Sequence, residues 1–112
     1  MSDSILVTIK KMLGIASDVD HFDQDIIVYI NSTFMLLNQL GIGASEGFII
    51  TGDTETWTTF IGARIDLEAV KTYTYLRVKL LFDPPTSATV IESMERFLTQ
   101  LEYRINTQVE IV

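Results

Sequence analysis

The sequence contains no cysteine, and its only histidine is His21. Without cysteine the chain can form neither disulfide bonds nor a thiolate metal site, which fits a reducing compartment. The phosphate-binding loop of nucleoside triphosphatases is also absent. A catalytic triad would have to use His21 as its base. We therefore predict that the chain is not an enzyme, with no catalytic residues, no cofactor and no metal ligands.

Basic residues are scarce, with eight Lys and Arg against fifteen Asp and Glu and a net charge of −7. Residues 1–66 hold nine acidic and three basic side chains, whereas residues 67–112 hold six and five. Such a surface repels phosphate groups. We therefore predict no sequence-specific nucleic-acid binding, although DNA can still slide past the protein.

Long apolar runs are missing as well. None approaches the roughly 18 residues that a membrane-spanning helix needs. The first residues also lack the basic segment that begins a secretion signal. We expect a soluble protein that is not exported and makes no membrane contact.

The residues that are present are those of a folded protein. Hydrophobic residues make up 47% of the chain and aromatic residues 10%, which excludes a disordered chain. A length of 112 residues suits one folding unit. We predict a single helical domain over residues 1–112, with residues 107–112 as a tail.

The strongest pattern lies in residues 66–83. At about 100° per residue, apolar side chains cover most of the helix circumference. Four residues form the one narrow polar stripe: Glu68, Thr72, Lys79 and Asp83. Pro84 and Pro85 then end the helix, because proline cannot donate the next backbone hydrogen bonds. A helix that is apolar on several sides has neighbours on several sides. We therefore predict a mainly all-α fold, a small bundle around a central helix 66–83.

Other segments show weaker versions of the same spacing. Apolar residues predict further helices over residues 4–13, from about Phe22 to Leu40, over 54–61, and after Ser87. Glycines in residues 41–53 predict a loop or a short β segment. Residues 107–112 alternate polar and apolar side chains, which predicts an extended tail.

Two apolar segments are candidates for a protein interface, because neither belongs to a helix stripe. They contain six residues: Phe48, Ile49, Ile50, Val109, Ile111 and Val112. Each segment could instead fold back on the core of its own chain. Exposed apolar patches tend to mark interfaces, so partner contact is the functional interpretation of both.

Asp18, Asp20, Asp23 and Asp25 surround His21 and form the nearest approach to a metal or acid–base cluster. The glycine and the final glutamate of a calcium-binding EF-hand loop are missing at the required positions. Runs of charge are usually solvated. We therefore interpret the cluster as solvated charge at the start of a helix.

Several segments share the pattern of one protein family. They are Ile26–Gly41 (IIVYINSTFMLLNQLG), residues 50–53 (ITGD), residues 55–57 (ETW), Val70–Ser87 (VKTYTYLRVKLLFDPPTS) and residues 92–96 (ESMER). Together they resemble the small head-tail connector, or DNA-packaging adaptor, proteins of long-tailed bacteriophages and prophages. The likeness covers nearly the whole chain, and its most specific part is Lys71–Ser87.

The resemblance implies a structural component of the phage head-tail connector. Its members are helical protomers that assemble into a ring docked on the portal protein, and the genome passes through that ring. It also implies tail-side connector proteins as partners, a place at the head-tail junction of the virion, and the host cytoplasm during assembly. It carries no enzymatic residues. The competing hypothesis from another class is a small acidic helical regulator or binding protein that acts as a monomer or dimer.

Overall fold

The computed structural model describes residues 4–16, 18–42, 47–61 and 67–111, with the backbone alone at 67 and 108–111. The described residues form five helices and no strand. The helices are α1 (Ile5–Leu13), α2 (Asp23–Gln39), α3 (Trp57–Ile61), α4 (Leu67–Phe82) and α5 (Ala88–Ile111). A single antiparallel bridge joins Ser4 to Thr56. The predicted mainly all-α fold is confirmed.

Helix α4 is the centre of the bundle, because it packs against α1, α2 and α5. Val70, Tyr73 and Val78 are fully buried on it. Thr74 is also fully buried, and its hydroxyl donates to the Val70 carbonyl oxygen at 2.9 Å, so the burial leaves no unpaired donor. The predicted central helix 66–83 is therefore confirmed over Leu67–Phe82; Asp83 directly follows its end, and residue 66 lies outside the described residues.

Helix α1 has defined ends. Ser4 is its N-cap, and the Ser4 hydroxyl accepts a hydrogen bond from the Val7 amide at 3.3 Å. Gly14 ends the helix with a φ of 83°, a left-handed conformation that glycine adopts without steric penalty. Ile5, Leu6 and Ile9 pack into the core of the bundle.

Helix α5 begins after Ser87, whose hydroxyl accepts a hydrogen bond from the Val90 amide at 3.3 Å. The helix continues to Ile111. The prediction of an extended tail at residues 107–112 is therefore wrong as far as the chain is described, and Val112 lies outside that part. Extending an existing helix by one turn requires no new nucleation, so a short alternation of polar and apolar residues does not outweigh it.

The described part of the segment after α2, residues 41–42 and 47–53, contains no strand. The loop interpretation of residues 41–53 is therefore the correct one there. Residues 43–46 lie outside the described part. The short helix α3 follows, with Trp57, Phe60 and Ile61 buried against the core.

Candidate interaction surface

The side chain of Asn31 holds the loop after α2 in place. Asn31 Nδ2 donates to the Ile50 carbonyl oxygen at 3.0 Å, and the Ile50 amide donates to Asn31 Oδ1 at 2.8 Å. The carboxamide therefore satisfies both backbone groups of Ile50, as a neighbouring strand would. Ile50 itself is only 1% exposed. This clamp fixes the position of the loop against the middle of α2.

Glu55 shapes the next turn. Its carboxylate accepts hydrogen bonds from the Thr51 amide at 3.0 Å, the Thr51 hydroxyl at 3.0 Å and the Gly52 amide at 3.4 Å. Burial raises the pKa of Glu55, but these hydrogen bonds outweigh it and leave the pKa below its usual value of 4.5. The Glu55 carbonyl oxygen also accepts from the Ile5 amide at 3.1 Å, which ties the turn to the start of α1.

Aromatic rings lie beneath the loop. Phe34 stacks on Phe60 with ring centroids 4.2 Å apart, and Phe48 stacks on the same ring at 5.1 Å. The edge of one ring meets the face of the other between Phe34 and Trp57, at 6.2 Å. Trp57 is fully buried, and Phe34 is 1% exposed. Packing of this kind gives a rigid floor.

An open groove of about 450 Å³ lies above this floor, between the end of α2 and the loop. Seven of the described residues line it: Phe34, Met35, Asn38, Gln39, Gly47, Phe48 and Ile49. None of them is charged. Met35 is 66% exposed and Ile49 is 61% exposed, so two large apolar side chains form its accessible walls. A second groove of about 330 Å³, by contrast, includes the charged residues Arg77 and Glu95.

The structure distributes the predicted interface residues unequally. Ile49 is exposed, Phe48 is half-buried on the aromatic floor, and Ile50 is buried within its own chain. Val109 and Ile111 lie on the last turn of α5, and their side chains are outside the described part of the structure, as is all of Val112.

Sequence reasoning missed Met35 and Asn31 as parts of this surface. Met35 follows Phe34 directly and therefore lies about 100° around the helix from it, outside the buried stripe of α2. A large apolar residue outside the stripe of its helix is a signal that could have identified it. Asn31 carries no comparable signal, because an asparagine on the polar side of a helix is ordinary.

The acidic cluster contains one structural ion pair. Lys10 Nζ lies 2.9 Å from Asp23 Oδ1 and donates to the Val19 carbonyl oxygen at 2.7 Å, and the Lys10 side chain is 4% exposed. Asp18, Asp20 and Asp25 are exposed. Within the described ranges, no group of His, Asp or Glu side chains is arranged to hold a metal ion.

Residues 43–47 read Gly-Ala-Ser-Glu-Gly, which matches the spacing of a hydrolase nucleophile elbow. That elbow requires a strand immediately before the serine and a helix immediately after it. Here the residues before the motif are the helix α2 and a turn at Gly41, and residues 47–50, which follow the serine, are not helical. The surroundings of the motif therefore do not match those of a nucleophile elbow.

A polar network joins α4 to α5. The Tyr73 hydroxyl donates to Glu102 Oε2 at 2.7 Å, and Arg77 Nη2 donates to the same oxygen at 2.8 Å. Arg77 Nε donates to the Tyr73 hydroxyl oxygen at 3.2 Å. Burial of Tyr73, together with its bond to Glu102, raises the pKa of its hydroxyl to about 12. The three side chains fix the register of the two helices.

None of the helices in the described ranges has both the length and the apolar character needed to cross a membrane. This observation agrees with the composition, in which charged residues are spread along the chain.

Comparison with known proteins identifies one family. The family described as phage connector protein matches residues 5–111, which is nearly the whole chain. No curated protein sequence and no solved structure matches this chain. The match confirms the resemblance seen in the sequence, and its span includes all five helices and the groove. The chain belongs to the family of phage connector proteins.

Proposed function

We propose that this protein is a structural subunit of the phage head-tail connector, an adaptor that forms a ring on the portal protein. The ring forms part of the channel for DNA during packaging and tail joining. The family match over residues 5–111 is the observation that carries this proposal. In this proposal the protein acts at the head-tail junction of the virion and is present in the host cytoplasm during assembly.

The groove between the end of α2 and the loop, whose described lining carries no charge, is the contact that we assign to a partner protein, either the portal or a tail-side connector protein. The cores of protein interfaces are depleted in charged residues and enriched in aromatic residues and methionine. The groove has this composition, with Phe48 half-buried and with Met35 and Ile49 exposed. A rigid floor limits the conformational entropy lost on binding, and flexible Met35 can adapt to the partner.

The C-terminal end of α5 is the second contact in this proposal. It contains Val109 and Ile111, and Val112 follows them in the chain. Because the segment is helical, we propose that it binds as a helix end and not by adding a strand to a sheet. A partner surface with a groove for a helix fits this geometry.

The acidic composition supports passage of DNA without sequence-specific binding. A net charge of −7 gives a protein that repels phosphate groups. Tight binding of the duplex through many basic contacts would retard its movement, because each neutralised phosphate adds to the affinity. A channel wall functions better without such contacts.

The experiment is co-purification with the portal ring. The matched pair of variants is Met35→Gln and Val28→Gln, which lie on the same helix with exposures of 66% and 58%. Only Met35 lines the groove. We expect Met35→Gln to weaken portal or tail-protein capture by about tenfold, equivalent to the loss of one interface anchor. Val28→Gln should leave capture unchanged.

Removal of residues 109–112 tests the second contact. The truncated protein should keep its unfolding midpoint within a few degrees of the wild type. It should co-purify less of the portal or tail-side protein than the full-length chain does. Failure of the full-length chain to bind either the portal or the tail-side proteins would refute the proposed function. Equal losses for Met35→Gln and Val28→Gln would show that the groove is not the contact.

A further inference from the structure

One face of α5 combines exposed arginine and tyrosine side chains. Arg96, Gln100, Tyr103 and Arg104 are all exposed, and at about 100° per residue they lie within an arc of about 100°. We call these four residues the α5 outer face. Tyr103 is 76% exposed, more than any other large apolar side chain in the described residues. Among the described side chains of α5, no carboxylate lies within this arc. Glu92 borders it one turn earlier in the helix, and Glu68 of α4 lines a shallow groove together with Arg104.

The two arginines of this face are unpaired within the described part of the chain. The ion pairs found there involve Lys10, Lys71, Arg77 and Lys79. Arg77, for example, lies 2.8 Å from Glu102, on another side of α5. Although the protein has nearly twice as many acidic as basic residues, these two guanidinium groups and an exposed tyrosine share one helix face. Tyrosine and arginine are also the residues that dominate binding energy at protein interfaces.

The same protein carries a surface of opposite charge. Asp18, Asp20 and Asp25 are exposed at the start of α2. Asp83 follows α4 at the same end of the bundle, because the rings of Phe22 and Phe82 lie 5.3 Å apart there. Phe22 is 37% exposed among these carboxylates. Every copy of the chain therefore carries an acidic surface whose charge is opposite to that of the α5 outer face.

We propose that the α5 outer face docks on the start of α2 of a second copy. The two surfaces differ, so the contact is heterologous, and repeating it produces a closed ring or an open chain of subunits. This inference rests on the proposed ring-forming function and names the surfaces that meet. The arginines provide the charge complementarity that orients the copies, and Tyr103 provides apolar contact area.

Charge complementarity favours a second copy over DNA as the occupant. Arg96 and Arg104 are eight residues apart, about 12 Å along the helix, and they are the only cations of the face. Two phosphate contacts give weak binding, and the rest of the acidic surface opposes it. Each neighbouring copy, in contrast, offers several exposed carboxylates in one place.

A charge exchange tests the contact by sedimentation velocity at low ionic strength. The variants are Arg96→Glu with Arg104→Glu, and Asp18→Lys with Asp20→Lys, each checked for an unchanged unfolding midpoint. Either variant alone should weaken self-association by at least about tenfold, because like charges then meet across the contact. An equimolar mixture of the two should restore self-association, because the α5 outer face of each variant then meets a start of α2 with the opposite charge on the other variant. One chain with all four substitutions, which has the wild-type net charge, should also self-associate.

Disulfide formation gives a second readout, because the chain has no cysteine of its own. Gln24→Cys at the start of α2 and Gln100→Cys on the α5 outer face should form a disulfide between copies. Gln24→Cys with Thr58→Cys, an exposed position on α3, is the matched control and should not.

The outcomes separate this inference from the proposed function. Suppose that the wild type binds the portal. The contact between copies alone is then overturned if the charge-reversed variants self-associate as the wild type does, or if the wild type stays monomeric at low ionic strength. Rescue in the mixture, with no binding of the wild type to the portal or to the tail-side proteins, overturns the proposed function alone. If Arg96→Glu with Arg104→Glu leaves self-association intact and abolishes binding to duplex DNA in an anisotropy assay, the face contacts DNA and the inference is wrong.

Discussion

Replacing Asn31 by alanine tests whether one side chain positions the groove. The substitution removes both hydrogen bonds between the carboxamide and the backbone of Ile50, at 3.0 and 2.8 Å. Ile50 is 1% exposed, so water cannot readily replace the lost partner. The wall formed by Phe48 and Ile49 directly precedes Ile50 in the chain, and its position depends on the same two bonds.

The expected loss of stability follows from these contacts. A net hydrogen bond contributes about 0.5 to 1.5 kcal/mol, and a buried group left without a partner costs about 1 to 3 kcal/mol. Removing two hydrogen bonds to a buried residue, with part of the cost offset by movement of the loop, should lower the free energy of unfolding by about 2 to 4 kcal/mol. A domain of this size is stabilised by about 5 to 15 kcal/mol, so the variant should remain folded.

Urea unfolding of Asn31→Ala beside Gln24→Ala measures the effect. Gln24 is an exposed amide on the same helix, so it controls for the change in helix propensity. We expect Gln24→Ala to stay within about 0.5 kcal/mol of the wild type. Portal capture by Asn31→Ala should also fall, at a temperature where the variant is fully folded. A stability loss below about 0.5 kcal/mol for Asn31→Ala would refute the role given to the clamp.

Three further predictions concern charged and ionisable groups. Asp23→Asn removes the 2.9 Å ion pair to the buried ammonium of Lys10 and should cost about 1 to 3 kcal/mol in urea unfolding. Exposed Asp20→Asn should cost almost nothing, and equal losses would contradict this. The pKa of Glu55 is lowered on folding, so its stabilisation is present above its usual value of 4.5 and is lost as pH falls through the lower folded value. The stability difference between the wild type and Glu55→Gln should therefore shrink in acid, and a constant difference would argue against the hydrogen bonds. The pKa of Tyr73 is raised to about 12, so its stabilisation is present below its usual value of 10.0 and is lost as pH rises towards 12. Tyrosinate absorbance should show one late-titrating group that disappears in Tyr73→Phe.

The helices of this protein could be predicted from sequence because their signals are local. The spacing of apolar residues in 66–83, followed by Pro84 and Pro85, is enough to predict the central helix α4. The end of α2 likewise follows from the break in spacing at Gly41. The family was also recognisable from sequence, because segments along nearly the whole chain carry its pattern.

The end of α5 shows where local patterns mislead. Residues 107–112 alternate as a strand does, yet the helix continues to Ile111. The Thr107 hydroxyl donates to the Tyr103 carbonyl oxygen at 2.8 Å, so the side chain joins the existing helix. Helix propagation depends on the turn that precedes the segment, which a short window of sequence does not include.

Only the tertiary structure decided which neighbouring apolar residues are accessible. Phe48, Ile49 and Ile50 are nearly equivalent in sequence, but Ile50 is buried and Ile49 is 61% exposed. The choice depends on Asn31, which lies 19 residues away along the chain. Contacts over such separations depend on how the helices pack, because packing determines which one of several suitable polar groups reaches a given backbone. The sequence by itself therefore determined the helices and the family, and the packing of α2 against the loop determined the surface available to a partner.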